Sequence, residues 1–269
     1  MSIANRVHIT KRTGASGGAQ LASRLAAIVV ALAASGLVML FMGYHPLEIF
    51  GKIITSSLST YSRFGETMNK TILLTMLSLG ISVAFRMKFW NIGAEGQFYM
   101  GAFGAALIAF GFPDLPAWLL LPLMGLCAFV FGGIWALIPA LIKAKFTTSE
   151  TLVTLMMNYI AISFISYLQY GPWKDPESLG AAKIARFSDN AILPKVFGIH
   201  AGWIIMLVLV VVMTILLKYT KLGYQIDVLG ESETTARYAG MNTLKIMIIA
   251  VLLSGGLCLS LIHISEPTR

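Results

Sequence analysis

Three polar side chains lie close together in an apolar stretch, FWNIGAEGQFYMGA (89–102), and they could bind a solute. They are Asn91, Glu95 and Gln97. At 100° per residue of a helix, Asn91 and Glu95 share a face, whereas Gln97 points about 200° away from Glu95. The spacing therefore predicts that these residues do not form one cluster on one helix.

Glu95 has two competing interpretations. Placing an ionisable group in an apolar helix costs on the order of a few kcal/mol in a membrane, so such groups either line a path or find a partner. Arg86 and Lys88 are the candidate partners. Glu95 is thus a candidate pathway residue, together with Asn91 and Gln97, or it is one half of an ion pair.

A second polar stripe lies in TSETLVTLMMNYIA (148–161). Glu150, Thr154 and Asn158 follow one another at i, i+4 and i+8, so they share one face of a helix. The structural alternative is a capping box with Thr147 for Glu150, and a hydrogen bond to a neighbouring helix for Asn158. The functional alternative makes Glu150 and Asn158 candidate pathway residues.

A short polar helix is predicted in LGYQIDVLGESETTARYAGMN (222–242). Gly230 and Gly240 enclose about two turns, with Ser232 as a candidate N-cap and Gly240 as a left-handed C-cap. The segment is either an amphipathic connector or a docking helix for another protein. Its candidate contact residues are Gly230, Glu231, Ser232, Glu233, Thr234, Arg237 and Gly240.

The elements that carry these residues are predicted to be membrane helices. Hydrophobic residues make up 57% of the 269 residues, and charged residues make up only 12%, about half the share in an ordinary soluble domain. An α-helix needs about 20 apolar residues to cross the hydrocarbon core. The sequence predicts an all-α, polytopic transmembrane helical bundle with about seven spans: 25–43, 71–85, 91–112, 117–142, 152–170, 202–217 and 246–258.

The distribution of Lys and Arg predicts the orientation. Connections on the side of the N-terminus carry 12 of these residues, and connections on the other side carry 7. Since basic residues collect on the cytoplasmic side, the N-terminus is predicted to be cytoplasmic and residues 171–201 to lie outside. This placement matters more than the net charge of +8, so nucleic acid is not a predicted partner.

Motifs of several other functions are missing from the sequence. There is no Gly-rich phosphate loop, no H-E-x-x-H helix, no metal-binding cluster of Cys and His, and no G-x-S-x-G turn. No span carries a series of Arg, and no channel filter sequence is present. An enzyme and a channel are therefore disfavoured, whereas a transporter or a structural or receptor-like membrane protein remains open.

The three stretches, in this order, resemble the signature regions of permease subunits of bacterial ABC importers. The similarity extends over residues 21–258 and is greatest to the branched-chain amino acid/ribose-type family, in its nucleoside and simple-sugar branch. Related permeases often have Asn before the glutamate at position 150, where this chain has Ser149. The resemblance implies a multi-pass subunit of the bacterial cytoplasmic membrane that hydrolyses nothing and binds no cofactor, since a partner binds the ATP.

The resemblance also implies partners and residue roles. Cytoplasmic ATP-binding subunits, a second permease subunit and an extracytoplasmic solute-binding lipoprotein would complete the importer in the lipid bilayer. Gly230 to Gly240 becomes the ATPase coupling helix, and Asn91 to Gln97, with Glu150 and Asn158, lies near the translocation pathway. The implied function is alternating-access transport of nucleosides or simple sugars; the alternative is a secondary transporter for a small polar solute.

Both ends of the chain are predicted to lie outside the permease domain. Residues 1–24 are assigned to a cytoplasmic segment, and residues 25–258 to an incomplete permease domain. The last eleven residues, LSLIHISEPTR (259–269), resemble a translated sequencing adapter rather than a membrane helix. We therefore expect a non-native tail, a C-terminally truncated chain and further spans beyond Cys258.

Overall fold

The computed structural model describes residues 17–146, 148–176, 178, 180, 182–196 and 199–258. Within these residues the chain forms ten α-helices and a small antiparallel hairpin of β1 (Lys195–Val196) and β2 (Ile199–His200). The helices are α1 (Gly17–Phe41), α2 (Pro46–Leu58), α3 (Tyr61–Arg86), α4 (Ala94–Gly111), α5 (Ala117–Phe146), α6 (Glu150–Tyr170), α7 (Gly202–Tyr219), α8 (Lys221–Glu231), α9 (Glu233–Tyr238) and α10 (Thr243–Leu257). The predicted all-α fold is confirmed, with the hairpin as a minor addition.

Five of the described helices are long and apolar enough to cross a membrane, namely α1, α3, α5, α6 and α7. Two of the seven predicted spans are not among them. Helix α4 has 18 residues but carries Glu95 and Gln97 in its first turn, and α10 is apolar but has only 15 residues. Helix α3 begins at Tyr61, before the predicted start of its span at residue 71. The prediction of a multi-pass membrane protein is confirmed.

Residues 17–64 belong to the first of two compact units. Helix α1 begins at Gly17, so the described part of the segment 1–24 is helical; residues 1–16 lie outside the description. Almost all side chains of α1 are exposed although the helix is apolar all round, which is the pattern of a helix surrounded by lipid. Pro46 of α2 packs against α1, where a Cβ on Gly36 would lie 3.4 Å from the proline Cβ.

The second unit begins at Gly65, and α4 lies at its centre. Most side chains of α4 are buried among α5, α6 and α10. A Cβ on Gly101 would lie 3.2 Å from the Ala128 carbonyl oxygen, and a Cβ on Gly132 would lie 3.2 Å from the Gln97 carbonyl oxygen. The small residues of α4 and α5 therefore serve close helix packing.

The termini of the helices in the second unit lie at two opposite ends. At one, which we call the Arg86 end, Arg86 at the end of α3 forms an ion pair with Asp227 of α8. The connection between α5 and α6 lies at this end too, close to α8 and α9. At the opposite end, Asn190 donates through its side chain to the Leu115 carbonyl and holds the 171–201 connection to the start of α5. The connection between α5 and α6 and the 171–201 connection thus lie at opposite ends of the helices.

Candidate functional site

The chain between α3 and α4 turns back into the bundle before the next helix begins. Lys88 marks the reversal with a φ of 54°, in the left-handed region. Asn91 follows and lies beside Ser254, with its Nδ2 3.5 Å from the serine hydroxyl oxygen. Ser254 is well inside α10, roughly 16 Å along the helix axis from Thr243 at 1.5 Å per residue. Irregular backbone therefore lies deep in the bundle at the point where α4 starts.

The side chains of Asn91 and Gln97 form a reciprocal pair. Asn91 Nδ2 donates to Gln97 Oε1 at 3.0 Å, and Gln97 Nε2 donates to Asn91 Oδ1 at 3.1 Å. Asn91 Oδ1 also accepts from the Gly93 N–H at 3.0 Å, and both side chains are almost fully buried. Glu95 takes no part in this pair, so the three polar residues do not form one cluster on one helix, as predicted. The predicted separation of Asn91 from Gln97 is wrong, because the helix begins only at Ala94 and Asn91 lies before it.

Helix α6 supplies the other partners of this irregular backbone. Thr154 Oγ1 accepts from the Ile92 N–H at 3.2 Å. Asn158 accepts from the Gly96 N–H at 2.7 Å through Oδ1, and it donates to the Ile92 carbonyl at 2.9 Å through Nδ2. The structural alternative for Asn158, hydrogen bonding to a neighbouring element, is therefore present in the molecule.

We call Asn91, Gln97, Thr154 and Asn158 the amide cluster. An unpaired polar group in hydrocarbon costs several kcal/mol, so irregular backbone at membrane depth persists only where protein or water supplies its partners. The amide cluster supplies these partners to the backbone just before and within the first turn of α4. It fixes where α4 begins, and with it the position of Glu95.

Glu95 is the charged residue of α4, and its side chain is exposed, unlike the amide cluster. Within the part of the chain that the structure describes, Glu95 takes part in none of the ion pairs. Arg86, one of its two predicted partners, is paired with Asp227 instead, at 3.3 Å. An exposed carboxylate on a membrane helix needs water, a solute or another protein beside it.

One face of α4 leads from Glu95 towards the opposite end of the unit. Tyr99, Ala102 and Ala106 follow Glu95 at i+4, i+7 and i+11, so the four residues share that face. The last three of them line a cavity beside the 171–201 connection. We call this the pathway face, because it joins an exposed carboxylate to a cavity.

Glu150 begins α6 and is paired with Lys143 near the end of α5. Lys143 Nζ lies 2.9 Å from Glu150 Oε1, and the glutamate side chain is 15% exposed. Ser149 is the N-cap residue, and its side chain forms no capping hydrogen bond. Thr147, the predicted partner in a capping box, lies outside the described residues. The ion pair thus holds the end of α5 next to the start of α6.

The short polar helix predicted in 222–242 is α9. The Ser232 hydroxyl oxygen accepts a backbone N–H of the first turn at 3.2 Å, and Gly240 has a φ of 73° just after the helix ends. Glu233 and Arg237 form an i,i+4 ion pair at 2.7 Å on the exposed surface. The prediction of a capped polar helix is confirmed, whereas α8, which precedes it directly, was not predicted.

Helices α8 and α9 present different surfaces. Gly230 of α8 packs on the end of α3, where an added Cβ would collide with the Arg86 carbonyl oxygen. Tyr238, the last residue of α9, is 97% exposed and was not among the predicted contact residues. The sequence feature that could have identified Tyr238 as a contact residue is its position, an aromatic residue at the end of a polar helix. The exposed predicted residues of this region are Glu231, Glu233, Thr234, Arg237 and Gly240.

A cavity of about 800 Å³ lies between α9 and the connection from α5 to α6. Glu233 and Arg237 contribute to its wall from α9, and Lys143 and Glu150 contribute from the other side. Glu150 is on the same helix as Asn158, which holds the start of α4. Two ion pairs thus share one cavity at the Arg86 end. The cavity adjoins the start of α6, the helix that carries Thr154 and Asn158 of the amide cluster.

Comparisons with known proteins cover the described part of the second unit. The family described as branched-chain amino acid transport system / permease component matches residues 64–258. A glucose ABC transporter permease protein of Haloferax volcanii is 30% identical over 241 residues, covering 85% of this chain and 63% of that protein. A guanosine ABC transporter permease protein of Bacillus subtilis is 30% identical over 239 residues, covering 86% and 67%. No solved structure shows a match.

A nucleoside ABC transporter permease protein of Lactococcus lactis is 29% identical over 249 residues, covering 87% of this chain and 67% of that protein. The chain spans from 63% to 67% of the length of these three relatives. All three are transport proteins and not enzymes. The region matched by the family contains the amide cluster, the pathway face, α8 and α9.

Proposed function

Because this chain belongs to the family of branched-chain amino acid transport system permease components, we propose that it is the membrane-spanning permease subunit of an ATP-driven importer. The solutes are nucleosides or simple sugars, in keeping with the names of its relatives. Transport proceeds by alternating access, and separate ATPase subunits supply the energy. The observation that carries the proposal is the family match over 64–258, which includes both the amide cluster and α9.

The proposed importer contains three further components. Cytoplasmic ATP-binding subunits dock at α9, a second permease subunit completes the membrane part, and an extracytoplasmic solute-binding lipoprotein delivers the solute. The chain lies in the bacterial cytoplasmic membrane with a cytoplasmic N-terminus, so the Arg86 end is inside and residues 171–201 are outside. The excess of Lys and Arg on the N-terminal side supports this orientation.

The pathway face of α4 is the translocation surface in this proposal. Glu95 is exposed, so its carboxylate can accept hydrogen bonds from the hydroxyl groups of a passing solute. Asn91, Gln97 and Asn158 act as positioning residues, since they bond the backbone and each other. Glu150 holds the start of α6 in place through Lys143.

The coupling route runs from α9 to α4. Closure of the ATPases moves α9, whose ion pair lines the same cavity as the pair of Lys143 and Glu150. Glu150 begins α6, and Asn158, two turns later, holds the start of α4. The mechanism requires two discrete arrangements of these elements, with ATP shifting the balance between them. The cavity provides the space in which α9 and α6 can approach one another.

Arg237→Glu is expected to abolish ATPase docking without unfolding the permease. The pair with Glu233 is exposed, so its loss costs only about 0.3–0.5 kcal/mol of stability. Arginine anchors at protein interfaces contribute about 2 kcal/mol or more, which is roughly a 30-fold change in affinity. Co-purification of the ATPase with the full-length permease measures the effect, and the same loss is expected for Glu231→Lys.

Lys195→Glu is the matched control for Arg237→Glu, because it reverses a charge on an exposed residue at the opposite end of the unit. It is expected to leave co-purification unchanged. Normal co-purification of the ATPase with both Arg237→Glu and Glu231→Lys would rule out the segment from Gly230 to Gly240 as the coupling helix.

Glu95→Gln is expected to reduce uptake while the permease stays folded. Hydrogen bonds to a charged group contribute about 1.5–3 kcal/mol, so the change lowers apparent affinity by roughly 10- to 150-fold. Glu48→Gln, at an exposed position of α2, is the control for the same chemical change. Solute uptake at several concentrations gives the result, and an unchanged affinity for Glu95→Gln would exclude Glu95 from the pathway.

ATP dependence separates the proposed importer from a secondary transporter. Fermenting cells that express the full-length permease and its partners receive labelled adenosine, and their ATP level is measured. We expect uptake to persist when an uncoupler collapses the ion gradient at constant ATP, and to stop when ATP is depleted. Uptake that stops with the uncoupler at constant ATP would establish the secondary transporter instead.

A further inference from the structure

A cavity of about 230 Å³ lies between α4, the end of α6 and the 171–201 connection. Four aromatic side chains contribute to its wall, and they are Tyr99, Phe103, Trp173 and Phe187. Pockets that enclose drug-sized ligands measure about 300–1,000 Å³, so this cavity has room for one ring system and not for a larger molecule. We call it the aromatic cavity.

The rings around the aromatic cavity are held in defined orientations. Phe103 and Trp173 lie nearly parallel, with centroids 5.4 Å apart and 23° between their planes. Phe110 contacts two of the lining rings, at 5.2 Å from Trp173 and 4.9 Å from Phe187. Aromatic faces that are already fixed in place favour a planar aromatic ligand, because little side-chain freedom is lost when it stacks.

The polar groups of the wall can form hydrogen bonds, but they bring no negative charge. Gln169 is fixed by its Nε2, which donates to the Ala182 carbonyl at 2.6 Å. Lys183 is exposed, and Arg186 is paired with Asp189 at 3.8 Å. Among the described residues that line the aromatic cavity, none is an aspartate or glutamate. The wall therefore suits a neutral ring with hydrogen-bonding edges better than a cationic one.

The aromatic cavity also lies on the pathway face. Tyr99, which lines it, follows Glu95 by four residues of α4, about 6 Å along the axis. A solute with its ring in the cavity can therefore extend a hydroxyl-bearing part towards the carboxylate. The ring of such a solute would contact aromatic side chains, and its hydroxyl groups would contact the Glu95 carboxylate.

We propose that the aromatic cavity is a subsite for the planar heteroaromatic ring of the transported solute, a ring of the nucleobase type. The ring stacks on Trp173, which contacts with Phe103 and Phe110 hold in place, and the amide of Gln169 bonds its edge. The proposal rests on the proposed function and narrows it, because a nucleoside has such a ring and a simple sugar has none.

Binding of adenosine and of ribose to the purified permease–ATPase complex tests the subsite. The complex contains the full-length permease, and ATP and the solute-binding protein are left out. Stacking of a base on an aromatic side chain contributes about 1–3 kcal/mol, so Trp173→Leu should weaken adenosine binding by roughly 5- to 150-fold. Trp173→Tyr, which keeps a ring, should retain most of the affinity. Trp118→Leu, at a 76% exposed position near the start of α5, is the matched control.

Ribose, which lacks the ring, should bind equally to the unchanged complex and to Trp173→Leu. Three results would each overturn the subsite: no adenosine binding by the unchanged complex, equal adenosine affinity in Trp173→Leu, or the same loss for adenosine and ribose. Failure of the proposed function is seen separately, as a lack of ATP-dependent uptake by the unchanged importer. A complex that binds adenosine through Trp173 but does not transport with ATP would keep the subsite and refute the importer.

Discussion

Replacement of Asn158 by leucine is expected to disrupt the start of α4 and reduce uptake to background. Leucine branches at the same carbon as asparagine, but it leaves the Gly96 N–H and the Ile92 carbonyl without partners. Each unpaired buried group costs about 1–3 kcal/mol, so the two together cost about 2–6 kcal/mol. A domain is stable by only about 5–15 kcal/mol, so this loss is a large share of the total.

Thermal unfolding of the purified full-length permease in detergent measures this effect, and a lower midpoint is expected for Asn158→Leu. Asn190→Leu is the matched control, because Asn190 is exposed and its side chain bonds the Leu115 carbonyl at the surface. If Asn158→Leu unfolds at the temperature of the control and still loses transport, Asn158 contacts the solute and the positioning role is wrong.

Gly230→Ala is expected to destabilise the permease, although alanine is the better helix former by about 1 kcal/mol. The added methyl group would collide with the Arg86 carbonyl oxygen and lie 3.1 Å from Met87 Cα, and backbone atoms cannot rotate aside as a side chain can. Overpacking of this kind costs about 1–3 kcal/mol. Because Ser232 both ends α8 and caps α9, a displaced α8 carries α9 with it.

Gly125→Ala in α5 is the matched control for Gly230→Ala, since nothing lies within 4 Å of a Cβ at that position. We expect Gly125→Ala to raise the unfolding temperature slightly and Gly230→Ala to lower it. Gly230→Ala should also weaken co-purification of the ATPase by about tenfold or more, which corresponds to ~1.4 kcal/mol. An unfolding temperature that rises with Gly230→Ala would contradict the contact between α8 and α3.

The sequence was sufficient for the features that depend on local chemistry. Ser232 and Gly240 occupy the cap positions that were predicted for them, so the bounds of α9 followed from neighbouring residues alone. Composition sufficed for the membrane class, since a soluble core does not need apolar segments of such length.

The amide cluster could not be predicted, because α4 begins at Ala94, three residues after the predicted start of its span at residue 91. A helical phase counted from residue 91 separates Asn91 from Gln97, whereas the bend before Ala94 brings them together. Gly93 and Gly96 were the available signals. A Cβ on either would lie within about 3 Å of α6, and a close approach of this kind is what glycine permits. The partners on α6 are distant in sequence, so no local pattern identifies them.

Uptake by proteoliposomes tests the central claim, that this chain is the permease of an ATP-driven importer, most directly. The full-length permease, its ATPase subunits and the solute-binding protein are reconstituted without any ion gradient, and ATP is supplied to the ATPase side. We predict that labelled adenosine accumulates against its gradient with ATP and not with a non-hydrolysable analogue. Accumulation that needs an imposed ion gradient and is indifferent to ATP would contradict the claim.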